Sequence, residues 1–298
     1  MTKVYGERRV KGDMPTHFNP PPASRFEAAA DAIVGGDTAA LEQLLREDPE
    51  LVHARSTREH VATLLHYVSA NGVEDYRQKT PGNIVAITEM LLNAGAEIDA
   101  TAEVYGGGCT TLGLAATSIH PEIAGVQEAL LQKLLDHGAD LKPSIVPACL
   151  ANGRRRAAEF LASRGAQLDL RGAAGLGKLK VVKGLLPDAD EQQLKDGFLY
   201  SCQYGRNDVV EFLLERGMDP ATQDANGQSA LHWAAIGGHL DTVKLLLCHN
   251  ALLEVKNVYG GTVLGQMLWS AAHGGDADVY LPILDALIAA GAVRQPDQ

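Results

Sequence analysis

The sequence predicts an all-α array of stacked helix–turn–helix repeats, and three observations carry that expectation. The first is spacing. Gly205 and Gly238 each close a short apolar run and lie 33 residues apart, a period found in helical repeat arrays. The second is a recurring order of elements, clearest in residues 225–257. There Asn226-Gly227 marks a tight turn and Ser229-Ala230-Leu231-His232 opens a first short helix. Gly237-Gly238 closes it, and Leu240 to Leu247 form a second, amphipathic helix ending at His249-Asn250. The third is composition. Hydrophobic residues make up 46% of the 298-residue chain but aromatics only 5%, which suits short helices packed through Ala and Leu better than one large core.

The same frame recurs along the chain. Ala173-Ala174 and Gly177 lead into Val181-Val182 and Leu185-Leu186, and Ser201-Cys202 and Gly205 lead into Val209-Val210 and Leu213-Leu214. Cys149-Leu150 and Gly153 precede Phe160-Leu161, and Ala32-Ile33 and Gly36 precede Leu41 and Leu44-Leu45. Three further units carry insertions. They open at Thr63-Leu64-Leu65-His66, Thr110-Thr111-Leu112-Gly113 and Thr262-Val263-Leu264-Gly265. Small residues at 173–174, 201–202 and 234–235 let helices approach, and the glycine after a second helix supplies a left-handed cap. These motifs resemble the ankyrin repeat: a turn glycine, Thr-Pro-Leu-His, Ala-Ala, Gly-His, then a Val-Val-x-Leu-Leu helix ending in Gly-Ala. The resemblance spans residues 25–293 and implies an ankyrin-repeat solenoid of about eight units with short hairpin fingers. It also implies structural hydrogen bonds for His66 and His232. Residues 1–24 read as an extended or disordered arm and 294–298 as a tail. The Ala-rich composition and the placing of the insertions resemble bacterial members of the family.

A formal charge of −11 argues against nucleic acid and against an anionic membrane surface. The basic run Arg154-Arg155-Arg156 reads as a solvated helix start. No stretch approaches the roughly 18 apolar residues of a membrane span, and the charged, proline-rich start has no signal-peptide core. Four cysteines without a Cys-x-x-Cys pair read as buried free thiols in a reducing cytoplasm.

Departures from the consensus are where function can be written. The connections between Gly72 and Ile84, Ser118 and Val126, and Trp269 and Leu281 are long, which costs entropy and calls for a reason. Helix extension with edge packing is one, a rim around a site another. Val104-Tyr105-Gly106-Gly107 and Val258-Tyr259-Gly260-Gly261 repeat one finger sequence, and each is followed by glycine (Gly113, Gly265) where the histidine is expected. The first repeat presents a polar outer helix face (Glu42, Gln43, Arg46, Glu47). The last helix, 279–290, carries only Asp285, with Asp278 just before it. Its outer face is left for the tail or a partner, the tail being favoured over a dimer contact.

The resemblance assigns variable positions to a concave groove, and these hold Tyr67, Asn71, Tyr200, Tyr204, Trp233 and Trp269, with fingers at Tyr105 and Tyr259. Aromatic side chains with polar tips suit recognition. The expectation is a monomeric, cytoplasmic scaffold holding a protein or peptide partner with a basic face, without cofactor, metal or catalysis. The alternative is a small-molecule-binding protein or enzyme. In that case His60, Tyr76, Arg77 and Tyr105 are the acid–base and polar groups, beneath the long loops. No Gly-x-Ser-x-Gly, His-Glu-x-x-His or Gly-x-Gly-x-x-Gly accompanies them.

Overall fold

A computed structural model describes residues 25–273 and 277–293. The arm at 1–24, the tail at 294–298 and part of the connection before Leu281 lie outside the described residues. The chain divides between Gln167 and Leu168 into two compact units.

The first unit contains α1 (Arg25–Gly35), α2 (Thr38–Glu47), α3 (Ile84–Asn93), α4 (Thr111–Thr117), α5 (His120–Ile123), α6 (Gln127–Asp136), α7 (Ile145–Ala151) and α8 (Arg155–Ser163). The residues from Thr63, expected to open a helix, form a 3-10 turn, Leu64–Ser69, ended by Ala70 at φ 49°. One row stacks α1, this turn, α4 and α7; a second stacks α3, α6 and α8. A finger is built from β1 (Thr101–Ala102) and β2 (Cys109–Thr110), paired antiparallel. The second unit contains α9 (Leu170–Gly175), α10 (Leu179–Leu185), α11 (Glu191–Gln203), α12 (Asn207–Glu215), α13 (Ala230–Ile236), α14 (Leu240–Cys248), α15 (Val263–Ala272) and α16 (Ala277–Ala289). Its rows are α9, α11, α13, α15 and α10, α12, α14, α16.

Small side chains permit this stacking. Ala173, Ala174, Ser201, Cys202, Ala234 and Ala235 are all fully buried between helices of the second unit. At Gly205, φ is +65° and an added Cβ would lie 2.6 Å from His239 Nδ1. The glycine therefore serves both the turn and the seating of His239, whose Nε2 donates to Gln203 O at 3.0 Å.

Hydroxyl caps start the first helices. Ser229 Oγ accepts from His232 N, and Thr262 Oγ1 from Gly265 N. The expected histidine role is visible in each unit. His66 Nδ1 accepts from Thr63 N at 3.1 Å and Nε2 donates to Cys109 O at 3.3 Å. His232 Nδ1 accepts from Ser229 N at 3.2 Å and Nε2 donates to Gly261 O at 3.3 Å. The acceptor role of Nδ1 places the proton on Nε2, so each neutral imidazole ties its own helix start to the next finger. Burial pushes the His66 pKa down to about 4, against the pull of the Cys109 carbonyl, and also lowers that of His232.

The first two long connections are held by buried contacts. In the second, Gln127 is buried and its Nε2 donates to Ala115 O, Ala116 O and Ser118 O. Arg154, expected in solvent, is instead mostly buried and ion-paired to Glu122 of α5. Arg155 and Arg156 pair with Glu159 and Glu128. Two of the cysteines are buried as expected, Cys149 and Cys202, and two depart: Cys109 is half-buried and Cys248 is exposed.

The first connection is held by a charged clamp. Arg77 is 3% exposed and reaches Glu27 Oε2 at 2.6 Å and Asp31 Oδ1 at 2.8 Å on α1, and Glu74 Oε1 at 3.4 Å. Arg58 pairs with Glu27 at 2.9 Å and also with Glu74. His60 Nε2 faces Glu74 Oε1 at 3.5 Å while its Nδ1 accepts from Ala62 N. Burial raises the Glu74 carboxyl, but the hydrogen bond from His60 and the charges of Arg58 and Arg77 outweigh it and leave a pKa of about 2. Burial likewise opposes, and the two arginines reverse, the shift at Glu27, which ends below its ordinary value.

Two predictions follow from these contacts. Arg77→Ala leaves Arg58 as the one arginine of the clamp facing Glu27 and Glu74 and lowers stability by about 3 kcal/mol, the low end for a broken buried pair, read from the urea midpoint. A change below about 0.5 kcal/mol, the range of ordinary surface substitutions, would contradict the clamp. The second concerns acid. His66 and His232 take up protons in the unfolded chain first, so stability falls as the pH drops below about 6.5 and continues to fall through about 4. Glu74 and Glu27 add a further loss as the pH falls from about 4.3, completed for Glu74 near pH 2. Ring-nitrogen NMR that finds His66 titrating near its ordinary value would refute the first part.

Candidate functional site

Exposure separates the candidate contact residues into two groups. Tyr67 and Trp233 were expected to face a groove and do not. Tyr67 is 0% exposed: its ring meets Phe26 edge-on at 5.9 Å, Arg77 lies 5.8 Å over it, and its hydroxyl donates to Glu74 Oε1 at 3.4 Å. Burial raises its pKa, and a side chain so enclosed offers no contact surface. Trp233 is also buried, inside α13. The position after Leu-His is thus a packing position in these two repeats. Tyr200 and Tyr204 are half-buried and lie against each other, ring centroids 6.5 Å apart. Burial raises the Tyr200 pKa. Trp269 is partly exposed and stacks on His273 at 4.3 Å, with the His273 ring hydrogen-bonded to Trp269 O.

The two fingers present their tyrosines most fully. Tyr105 and Tyr259 are each 74% exposed. In the first unit, Tyr105 and the three glycines after it all have positive φ, from 50° to 104°. Such a run favours glycine strongly, and Tyr105 holds its strained place at the tip. Its hydroxyl donates to Asn71 Oδ1 at 2.7 Å. Asn71 in turn donates through Nδ2 to Leu114 O and Thr117 Oγ1, both at 3.1 Å. The predicted pair Asn71 and Tyr105 is therefore one construction: the amide tethers the phenol tip while the ring flank stays exposed. In the second unit, Asn257 is buried and its Oδ1 accepts from Tyr259 N and Gly261 N, both at 3.0 Å. Its Nδ2 donates to Gln266 Oε1. Val258 N donates to Asn226 O, tying this finger to the preceding turn. Asn257 was not among the expected residues; its position ahead of Val-Tyr-Gly-Gly was the available signal.

The four residues of the catalytic alternative do not converge on open space. His60 and Arg77 meet at Glu74, inside the clamp. Tyr76 lies outside it, half exposed, with the Arg77 guanidinium 5.2 Å from its ring. Tyr105 bonds to Asn71. The partners of the clamp on α1, Glu27 and Asp31, escaped sequence reasoning because they lie about fifty residues from Arg77. Among the described residues no group of three or more His, Cys, Asp or Glu is arranged to hold a metal ion. No described helix is long and apolar enough to cross a membrane.

Comparison with known proteins bears on the repeat. A family model for ankyrin repeats, in three copies, matches residues 170–257. A putative ankyrin repeat protein of Acanthamoeba polyphaga mimivirus is 37% identical over 70 residues, 23% of this chain and 17% of that protein. Inversin of Danio rerio is 32% identical over 73 residues, 24% of this chain and 7% of that protein. The human transient receptor potential cation channel subfamily A member 1 is 26% identical over 184 residues, 55% of this chain and 16% of that protein. The chain thus spans less than a fifth of the length of each of these relatives. Among solved structures, the ankyrin repeat domain of Bcl-3 aligns with 86% of this chain and 97% of that one, at 19% identity and a TM-score of 0.41. Residues 170–257 are therefore ankyrin repeats, and the first unit builds helix pairs, a hydroxyl cap and a finger-linking histidine of the same kind.

Proposed function

We infer that this chain is a binding scaffold that holds a protein or peptide partner through its fingers, with Tyr105 and Tyr259 as the main contacts. Ankyrin-repeat domains generally mediate protein–protein interaction, and that general role is the starting point. The observation that carries the finer reading is the pairing of exposure with anchorage. Each finger tyrosine is largely exposed, yet its finger is fixed by a buried or half-buried asparagine. A large aromatic held in place loses little entropy on binding and brings much contact area, as hot-spot residues do. Trp269, Tyr200 and Tyr204 stand as secondary contacts. The net charge of −11 favours a partner with a basic face and disfavours nucleic acid. The unpaired cysteines fit a reducing compartment such as the cytoplasm.

The enzyme reading has less support, since His60 and Arg77 are engaged in the clamp and the Tyr105 hydroxyl with Asn71.

The test is affinity capture from native lysate, with partners counted by mass spectrometry for wild type, Tyr105→Ala and Tyr259→Ala. Both variants keep the wild-type circular dichroism spectrum, because neither side chain is in the core. At least one loses a wild-type partner by about tenfold or more, the effect of removing a contact worth about 1.4 kcal/mol. Recovery of the same partners at wild-type yield by both variants refutes the finger assignment.

A further inference from the structure

The first long connection carries two neighbouring carboxylates with different fates. Glu74 is taken up by Arg58, Arg77 and His60. Asp75 is exposed and makes no ion pair or side-chain hydrogen bond among the described residues. Its backbone is nonetheless fixed. Asp75–Arg77 is a 3-10 turn in which Arg77 N donates to Glu74 O at 2.8 Å, and the Arg77 side chain pins the turn to α1. The first finger is set against the start of this connection. Tyr105 Oη donates to Asn71 Oδ1 at 2.7 Å, and a Cβ added at Gly72 would lie 2.9 Å from Val104 Cγ2. Residues 104–105 therefore rest on residues 71–72, just ahead of Asp75. Burial of the phenol raises the Tyr105 pKa against the pull of the Gly72 backbone, and the charges of Cys109 and Asp75 add to the rise. Ring and carboxylate thus share one corner of the first unit. Glu103, on the same finger, is also exposed and folds its carboxylate back toward Gly107.

We propose that this corner receives one arginine side chain of the protein partner, its guanidinium lying on the flank of the Tyr105 ring and its N–H groups meeting Asp75. The proposal rests on Tyr105 being a partner contact and gives that contact its chemistry. A planar guanidinium can stack on an aromatic flank and bond to a carboxylate at the same time, whereas an ammonium is a compact, strongly hydrated charge. The clamp already shows the combination within the chain. The Arg77 guanidinium lies 5.2 Å from the Tyr76 ring and 5.8 Å from the Tyr67 ring while it is paired with Glu27, Asp31 and Glu74. At the finger the ring and the carboxylate are present and the cation is supplied from outside. The Asn71 tether holds the ring from behind, so little remains to be ordered on binding. An apolar anchor in this place would desolvate Asp75 without compensation. An acidic one would be repelled by Asp75 and Glu103.

The experiment uses the full chain with isotope-labelled tyrosine rings and two blocked tripeptides, acetyl-Gly-Arg-Gly-amide and acetyl-Gly-citrulline-Gly-amide, which match in shape and differ in charge. The Tyr105 ring signal is the one missing from Tyr105→Leu, and the initial slope of its shift against peptide concentration reads binding. The arginine peptide gives a slope at least about tenfold steeper than the citrulline peptide, and Asp75→Asn, changed at an exposed position, removes that difference. Tyr259→Leu leaves it unchanged. Equal slopes in the wild type, or an arginine slope that survives Asp75→Asn, overturn the proposal. So does an arginine shift seen only after Arg8 and Arg9 are both replaced by glutamine, because the occupant is then the chain's own arm. Lysate capture keeps this test apart from that of the finger contact. A partner that Tyr105→Ala loses and Asp75→Asn keeps refutes the arginine site while the finger contact stands.

Discussion

Each helix pair of an ankyrin array has apolar surface on both sides, so its core is completed only by its neighbours. That constraint governs the rest of the molecule. It places alanines, serine and a cysteine at fully buried sites where the helices of the second unit approach. It makes the histidine links at His66 and His232 useful, because a neutral imidazole that caps one helix and bonds the next finger ties one repeat to the next.

Where the chain departs from the regular connection, other interactions take over. The first long connection is drawn onto α1 by two arginines and three carboxylates, with Tyr67 buried beneath them. Charges so placed are unfavourable alone and acceptable together, since each guanidinium is met by more than one carboxylate. The second connection uses a single buried glutamine to satisfy three carbonyls, plus the Arg154–Glu122 pair. These are the arrangements expected of segments fixed against the array, and they turn residue types that suggest chemistry into structural ones.

The fingers follow different rules from the rows of helices. The first finger runs through four positive φ values and the second through one, at Gly260; an asparagine amide holds the Tyr105 hydroxyl in the first and the backbone of Tyr259 and Gly261 in the second, while both tyrosines stay exposed. Exposure with anchorage is the physical basis for assigning recognition to them, whereas Tyr67 and Trp233, equally aromatic, serve the core.

The sequence by itself determined most of the helix-pair order, the glycine and hydroxyl punctuation and the two Tyr-Gly-Gly fingers, and the family resemblance supplied the histidine role. All of these are local signals, written within one repeat period. Tertiary structure alone decided which of the variable aromatic positions are surface. Tyr67 and Tyr105 look equivalent as residue types, and only the arrival of Phe26, Arg77 and Glu74 around the first separates them. It alone paired Arg77 with Glu27 and Asp31, because the partners come together through stacking and carry no periodicity that links them in sequence.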